Sequence, residues 1–186
     1  MKVYYAEANY GDIEIEAVLK VLREDRLAIM DGKQVHELEA KVAKLFRKEH
    51  GLMTNSGSSA NLIGVQALNL KKGTKVITPS LTFSTTVSPI VQSGLKPLFI
   101  DVERETMQID TSVLKNIPLE EVSAICVPNL IGNVANWQEI YNFAKENKLK
   151  TIEDSADTIG YQYSTDLNNW SDVSTTSFYA SHVVTG

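Results

Sequence analysis

Residues 76–102 read VITPSLTFSTTVSPIVQSGLKPLFIDV, a strand, a helix and a second strand in direct succession. Val76-Ile77 opens a short apolar strand that Thr78-Pro79-Ser80 closes. Residues 82–92 form a helix that Gly94 is placed to cap, because glycine accepts the left-handed backbone of a helix end. Residues 98–102 make the next strand. Outward from this unit the alternation continues. Helices are expected over 12–24, with Ile15, Val18, Leu19 and Leu22 on one side, and over 33–48, with Val35, Leu38, Val42 and Leu45. Further helices fall at 58–70 and 137–147, and strands at 124–127, 151–153 and 175–179. Apolar runs alternating with amphipathic stretches predict an α/β fold, a mostly parallel sheet flanked by helices. Residues 161–172 are polar and read as a hairpin or excursion.

The chain has 186 residues, the length of one domain with a real core. Hydrophobic residues make up 43% and charged residues 22%, the balance of a soluble globular protein. A formal net charge of -5 argues against nucleic acid as a partner, since phosphate backbones call for a basic face. The single cysteine, Cys126, excludes an internal disulfide and fits a buried strand position in a cytoplasmic protein. No stretch resembles a signal peptide or a membrane span, and no metal centre is read in the chain.

Four stretches carry chemistry. Asn55-Ser56-Gly57-Ser58-Ser59-Ala60-Asn61 precedes a helix; glycine, hydroxyls and free helix amides together can cradle a phosphate, or serine can simply cap the helix. Glu153-Asp154 ends a strand, where ligands of parallel sheets bind. A carboxylate there can pair with a protonated ring nitrogen, or be a solvated acidic turn. Asp157 faces the same way if the segment turns helically. Thr82-Phe83 follows the Pro79-Ser80 turn, so Phe83 either stacks on a planar ring or joins the core. Gly132-Asn133 marks a turn after the 124–129 strand. His36 and His50 lie on or just after a predicted helix and are taken as structural.

In order and spacing these stretches resemble the DegT/DnrJ/StrS family of pyridoxal-phosphate enzymes acting on nucleotide-linked sugars. The resemblance runs from the Asp31-Gly32 turn to Gly186. It implies the large domain of a fold type I pyridoxal-phosphate enzyme. Residues 1–186 would then be the N-terminal part of the cofactor-binding domain, with the C-terminal small domain absent. It also implies roles. Gly57 and Ser58 belong to the phosphate loop, Ser177 also reaches the phosphate, Phe83 covers the pyridine ring, Asp154 meets the ring nitrogen, and Asp157 lies beside the cofactor.

One position departs from the family pattern. Ser177-Phe178-Tyr179-Ala180-Ser181-His182 resembles the Schiff-base segment Ser-Phe-x-x-x-Lys, and His182 takes the lysine position. No lysine occurs from Asp154 to Gly186. An imidazole does not hold an aldehyde as a stable imine, but it moves protons near neutral pH. Within the family this exchange resembles the sugar 3-dehydratases. It implies a pyridoxal or pyridoxamine phosphate-dependent 3-dehydratase acting on a nucleotide-linked 4-keto-6-deoxyhexose, in deoxysugar or lipopolysaccharide biosynthesis. His182 and Asp154 are the expected catalytic residues, and a cytoplasmic homodimer the expected working form. A nucleotide-sugar aminotransferase and a non-catalytic fragment stand as alternatives.

Overall fold

A computed structural model of the chain describes residues 9–24, 31–160 and 169–182. Five strands, β1 (Lys75–Pro79), β2 (Lys96–Ile100), β3 (Val122–Pro128), β4 (Lys150–Asp154) and β5 (Val173–Thr175), form one sheet in the order β2-β1-β3-β4-β5. Every pairing is parallel. The helices are α1 (Asp12–Glu24), α2 (Lys33–Leu45), α3 (Gly57–Ala67), α4 (Ser84–Gln92) and α5 (Trp137–Glu146). No described helix is long and apolar enough to cross a membrane.

Side-chain alternation along the strands gives the sheet two apolar faces. Val76, Ala124, Cys126 and Ile152 pack with Val65 of α3 and Ile90 of α4. Ile77, Ile125 and Val127 pack on the other face with Trp137, Ile140 and Ala144 of α5. Cys126 is buried as expected, and burial raises its thiol pKa. Strand order reverses between β1 and β3, so the loops after the strand carboxyl ends open on one edge, where doubly wound sheets bind ligands. Pro79, Pro128, Asp154 and Thr175 end four strands there.

The expected elements all form, with shifted boundaries. α4 ends as predicted: Gly94 adopts φ 75°, and Leu95 N donates to Ile90 O at 3.0 Å. α2 stops at Leu45 instead of running to residue 48, because Arg47 turns left-handed at φ 54° and Lys48 N closes back on Ala43 O. Asn69, at φ 47°, does the same after α3. The last strand needs correction. β5 covers Val173–Thr175, and residues 176–179 form no regular structure. Its ladder partner β4 ends at Asp154, opposite Thr175, so nothing remains for residues 176–179 to pair with. The expected excursion at 161–172 falls largely outside the described residues, as do Val183 to Gly186.

Candidate active site

Asp154 closes β4 and points to the α3 and α4 side of the sheet. It is only 7% exposed, which removes the solvated-turn reading. Its Oδ2 accepts from Asn61 Nδ2 at 2.8 Å and from Thr86 Oγ1 at 2.9 Å, while Oδ1 accepts from Ala156 N at 3.3 Å. Burial raises its pKa, opposed by those hydrogen bonds. Among the described residues no cation forms an ion pair with it.

Neither Asn61 nor Thr86 was assigned a role from sequence, yet the chain contains the cause of their placement. Pro89 lies inside α4 and has no N–H to donate to the Thr85 carbonyl one turn earlier. Asn61 Nδ2 takes up that freed carbonyl at 3.1 Å, and Asn61 Oδ1 accepts from Thr175 Oγ1 at 2.6 Å. One amide thus joins α3, α4, β4 and β5 around the Asp154 carboxyl.

At the head of α3, Ser56 is the N-cap and its Oγ accepts from Ser59 N at 3.1 Å. The ordinary serine cap is therefore present, and it leaves the first amides of α3 pointing out of the helix. Ser58 is exposed. Gly57 faces Ser177: a Cβ on Gly57 would sit 3.0 Å from Ser177 Cβ and 3.3 Å from its Oγ. Two stretches far apart in sequence, both read as phosphate contacts, are brought into touch here.

Phe83 precedes α4 and is 68% exposed, so it is no core side chain. Asp157 stands in the turn after β4, its Oδ2 accepting from Ile131 N at 3.1 Å and its Oδ1 lying 3.5 Å from His182 Nε2. The imidazole is largely buried, with the Tyr179 ring edge-on at a centroid distance of 5.8 Å. Among the described residues its Nδ1 is buried without a hydrogen-bond partner. His36 and His50 stand apart from this group, His36 bonding Glu39 and His50 lying 3.5 Å from Glu49.

Behind the site lies a second polar cluster around Glu153, whose other members Lys48, Asn129, Ser155, Ser171 and Ser174 have no role assigned from sequence. Glu153, adjacent to Asp154, points through the opposite face of the sheet. Its Oε1 accepts from Ser155 Oγ at 2.7 Å and Asn129 Nδ2 at 3.3 Å, and its Oε2 from Ser174 Oγ at 3.0 Å. Lys48 Nζ donates to Ser171 and Asn169 beside it, and burial lowers the lysine to about 8.

A family model for DegT/DnrJ/EryC1/StrS aminotransferases matches residues 9–186. The chain belongs to this family. It is 32% identical over 97% of its length to a GDP-4-keto-6-deoxy-D-mannose 3-dehydratase of Escherichia coli O55:H7, of which it spans 48%. It is 31% identical over 89% of its length to a 3-oxo-glucose-6-phosphate:glutamate aminotransferase of Bacillus subtilis, of which it spans 37%. Family relatives thus include both sugar dehydratases and sugar aminotransferases. A solved Escherichia coli GDP-4-keto-6-deoxy-D-mannose-3-dehydratase with bound hydrated PLP superposes with a TM-score of 0.85 at 30% identity. That match covers 99% of this chain and 49% of the solved one.

Proposed function

We propose that this protein is a pyridoxamine phosphate-dependent 3-dehydratase acting on a nucleotide-linked 4-keto-6-deoxyhexose. The observation that carries the reading is His182. By the family resemblance it takes the lysine position, and its Nδ1 is buried and unpartnered among the described residues with Nε2 beside Asp157. Family relatives that are named as 3-dehydratases support it.

The residues fit the cofactor. Asp154 is a buried carboxyl without a cation among the described residues, and a protonated pyridine nitrogen is such a cation. Ser177 packs directly on Gly57, so the missing side chain lets the head of α3 and the segment after β5 meet where both would face the phosphate. In this reading Gly57, Ser58 and Ser177 hold the phosphate, Phe83 offers a ring face, Asp154 holds the ring nitrogen, and Asp157 and His182 stand beside the reacting atoms. When bound, the cofactor supplies an amine for the sugar's keto carbon and a ring that takes up electrons.

The remaining work falls to the chain. Asp154 keeps the ring nitrogen protonated and stabilises developing negative charge, an effect worth roughly several kcal/mol in a water-excluded site. With the cofactor bound, His182 Nδ1 would be the group that accepts a proton from the aminomethyl carbon and delivers one to the 3-hydroxyl, which would leave as water. Imidazole suits both transfers near neutrality. A lysine at residue 182 would instead form its own imine and favour amine transfer. On the family resemblance, residues 1–186 belong to the cofactor-binding large domain of a cytoplasmic homodimer, and sedimentation of the protein tests the dimer.

The test supplies the whole protein with pyridoxamine phosphate and a nucleotide-linked 4-keto-6-deoxyhexose and follows 3-deoxy product by mass spectrometry. His182→Asn is expected to abolish product with cofactor still bound. Undiminished product from that variant would overturn the assignment.

A further inference from the structure

The connection after β3 adopts a backbone that its own residues disfavour. Ile131 sits at φ 59° and ψ 33°, a left-handed conformation that a β-branched side chain resists. Its side chain is 74% exposed, so packing does not hold it there. Hydrogen bonds from two sides do. Gln108, only 3% exposed, donates from Nε2 to Leu130 O at 3.0 Å and accepts at Oε1 from Leu130 N at 3.3 Å. It thereby grips both main-chain groups of one residue, as a neighbouring strand would. Asn133 Nδ2 adds a bond to Thr106 O at 3.0 Å, tying the far end of the same turn to the Gln108 segment. On the opposite side, Ile131 N donates to Asp157 Oδ2 at 3.1 Å.

Asp157 is therefore divided in its duties. Oδ2 is anchored by the strained turn, and Oδ1 is left facing His182 Nε2 at 3.5 Å. A carboxylate at that nitrogen favours the tautomer with its proton on Nε2, which leaves the lone pair on Nδ1. Backbone strain that its surroundings over-determine is characteristic of functional sites. We infer that buried Gln108 is a positioning residue for His182. It holds the Leu130–Ile131 turn so that the Ile131 amide fixes Asp157, and Asp157 selects the imidazole tautomer whose free nitrogen is Nδ1. The effect on turnover rests on the proposed role of His182; the geometric chain does not.

The test reads the tautomer directly, by imidazole ¹⁵N chemical shifts of His182 in the whole protein at a pH where the ring is neutral. The parent protein is expected to show one tautomer, protonated on Nε2. Gln108→Leu is expected to show a mixture of both and to lose about tenfold in kcat with KM for the sugar unchanged. Adding Ile131→Gly, which adopts the left-handed turn without the clamp, is expected to restore the single tautomer. Should Gln108→Leu fail to fold, Gln108→Glu keeps the shape but sets a carboxyl oxygen in place of the donor to Leu130 O, and is expected to show a detectable second tautomer. One unchanged tautomer in the folded Gln108 variants would overturn the inference while leaving the dehydratase reading intact. Undiminished product from His182→Asn would overturn that reading and leave the ¹⁵N result standing.

Discussion

Asp157, in the turn after β4, and His182, in the segment after β5, meet with 3.5 Å between Oδ1 and Nε2. As inferred above, this contact orients the imidazole and places the proton of its neutral form on Nε2. Replacing Asp157 by asparagine keeps the volume but can present an N–H₂ group to Nε2, which favours the opposite tautomer. Asp157→Asn is expected to lower kcat by about a hundredfold, at the low end of the range for general acid–base catalysis, with cofactor affinity changed far less. Single-turnover product formation with pyridoxamine phosphate already bound measures it.

Asp154 is expected to favour ligand binding over stability. Burial raises its folded pKa, so folding prefers the protonated carboxyl. The stability this confers is present at low pH and lost as pH climbs through the raised value. Asp154→Asn removes the buried charge. Without cofactor it is expected to melt roughly 2–4 °C higher at neutral pH, about 1 kcal/mol for a chain of this size, and to lose the acid-side gain of the parent. Pyridoxamine phosphate affinity is expected to fall at least tenfold. Calorimetry with and without cofactor compares the two, and a lower melting temperature in the cofactor-free variant would contradict the burial argument.

Gly57→Ala probes the meeting of the α3 head with Ser177. The added methyl would stand 3.0 Å from Ser177 Cβ, so the segment after β5 has to move by a few tenths of an ångström. Cofactor affinity is expected to drop about tenfold, because displaced donors no longer match the phosphate. Isothermal titration with pyridoxamine phosphate gives the value, and Ser177→Gly on the Gly57→Ala background is expected to relieve the clash.

Lys48 provides a pH test of the scaffold behind the site. Its folded pKa is lowered to about 8, below the unfolded lysine value, so folding releases a proton. Its contribution to stability therefore grows as pH rises from about 8 toward about 10.4. Urea denaturation of the parent and of Lys48→Met is expected to diverge over that interval in the parent's favour. Parallel curves would mean that the amine is not buried in its charged form.

Much of the fold was legible because hydrophobic periodicity reports burial, and burial decides the layers. The run from Val76 to Val102 gave a strand, helix and strand in the right order, and Gly94 marked a helix end. Other helix ends were obscure, since Arg47 and Asn69 take left-handed conformations without the glycine that advertises them. β5 was misplaced because its length follows from where β4 stops, a long-range fact. At the site, Asp154 stood out as a carboxylate at a strand end and Gly57 as a glycine before a helix, with Asp157 one turn on from Asp154. Ser177 and His182 were marked by the family resemblance. Asn61, Thr86 and Gln108 did not stand out, since a buried amide or hydroxyl looks in sequence like any polar loop residue. Pro89 was the readable clue to Asn61, because a proline inside a helix frees a carbonyl that some donor has to meet.

Glu153 and Asp154 are chemically near-twins, and only the pleat of β4 tells them apart. Five matched positions along β3, from Ala124 opposite Lys150 to Pro128 opposite Asp154, fix which acid turns toward the ligand edge and which is sealed among serines. Sliding that strand by a single residue would exchange them and aim a longer side chain at the proposed cofactor site. The chemistry of this protein thus depends on parity, the odd-or-even count of residues along one short strand.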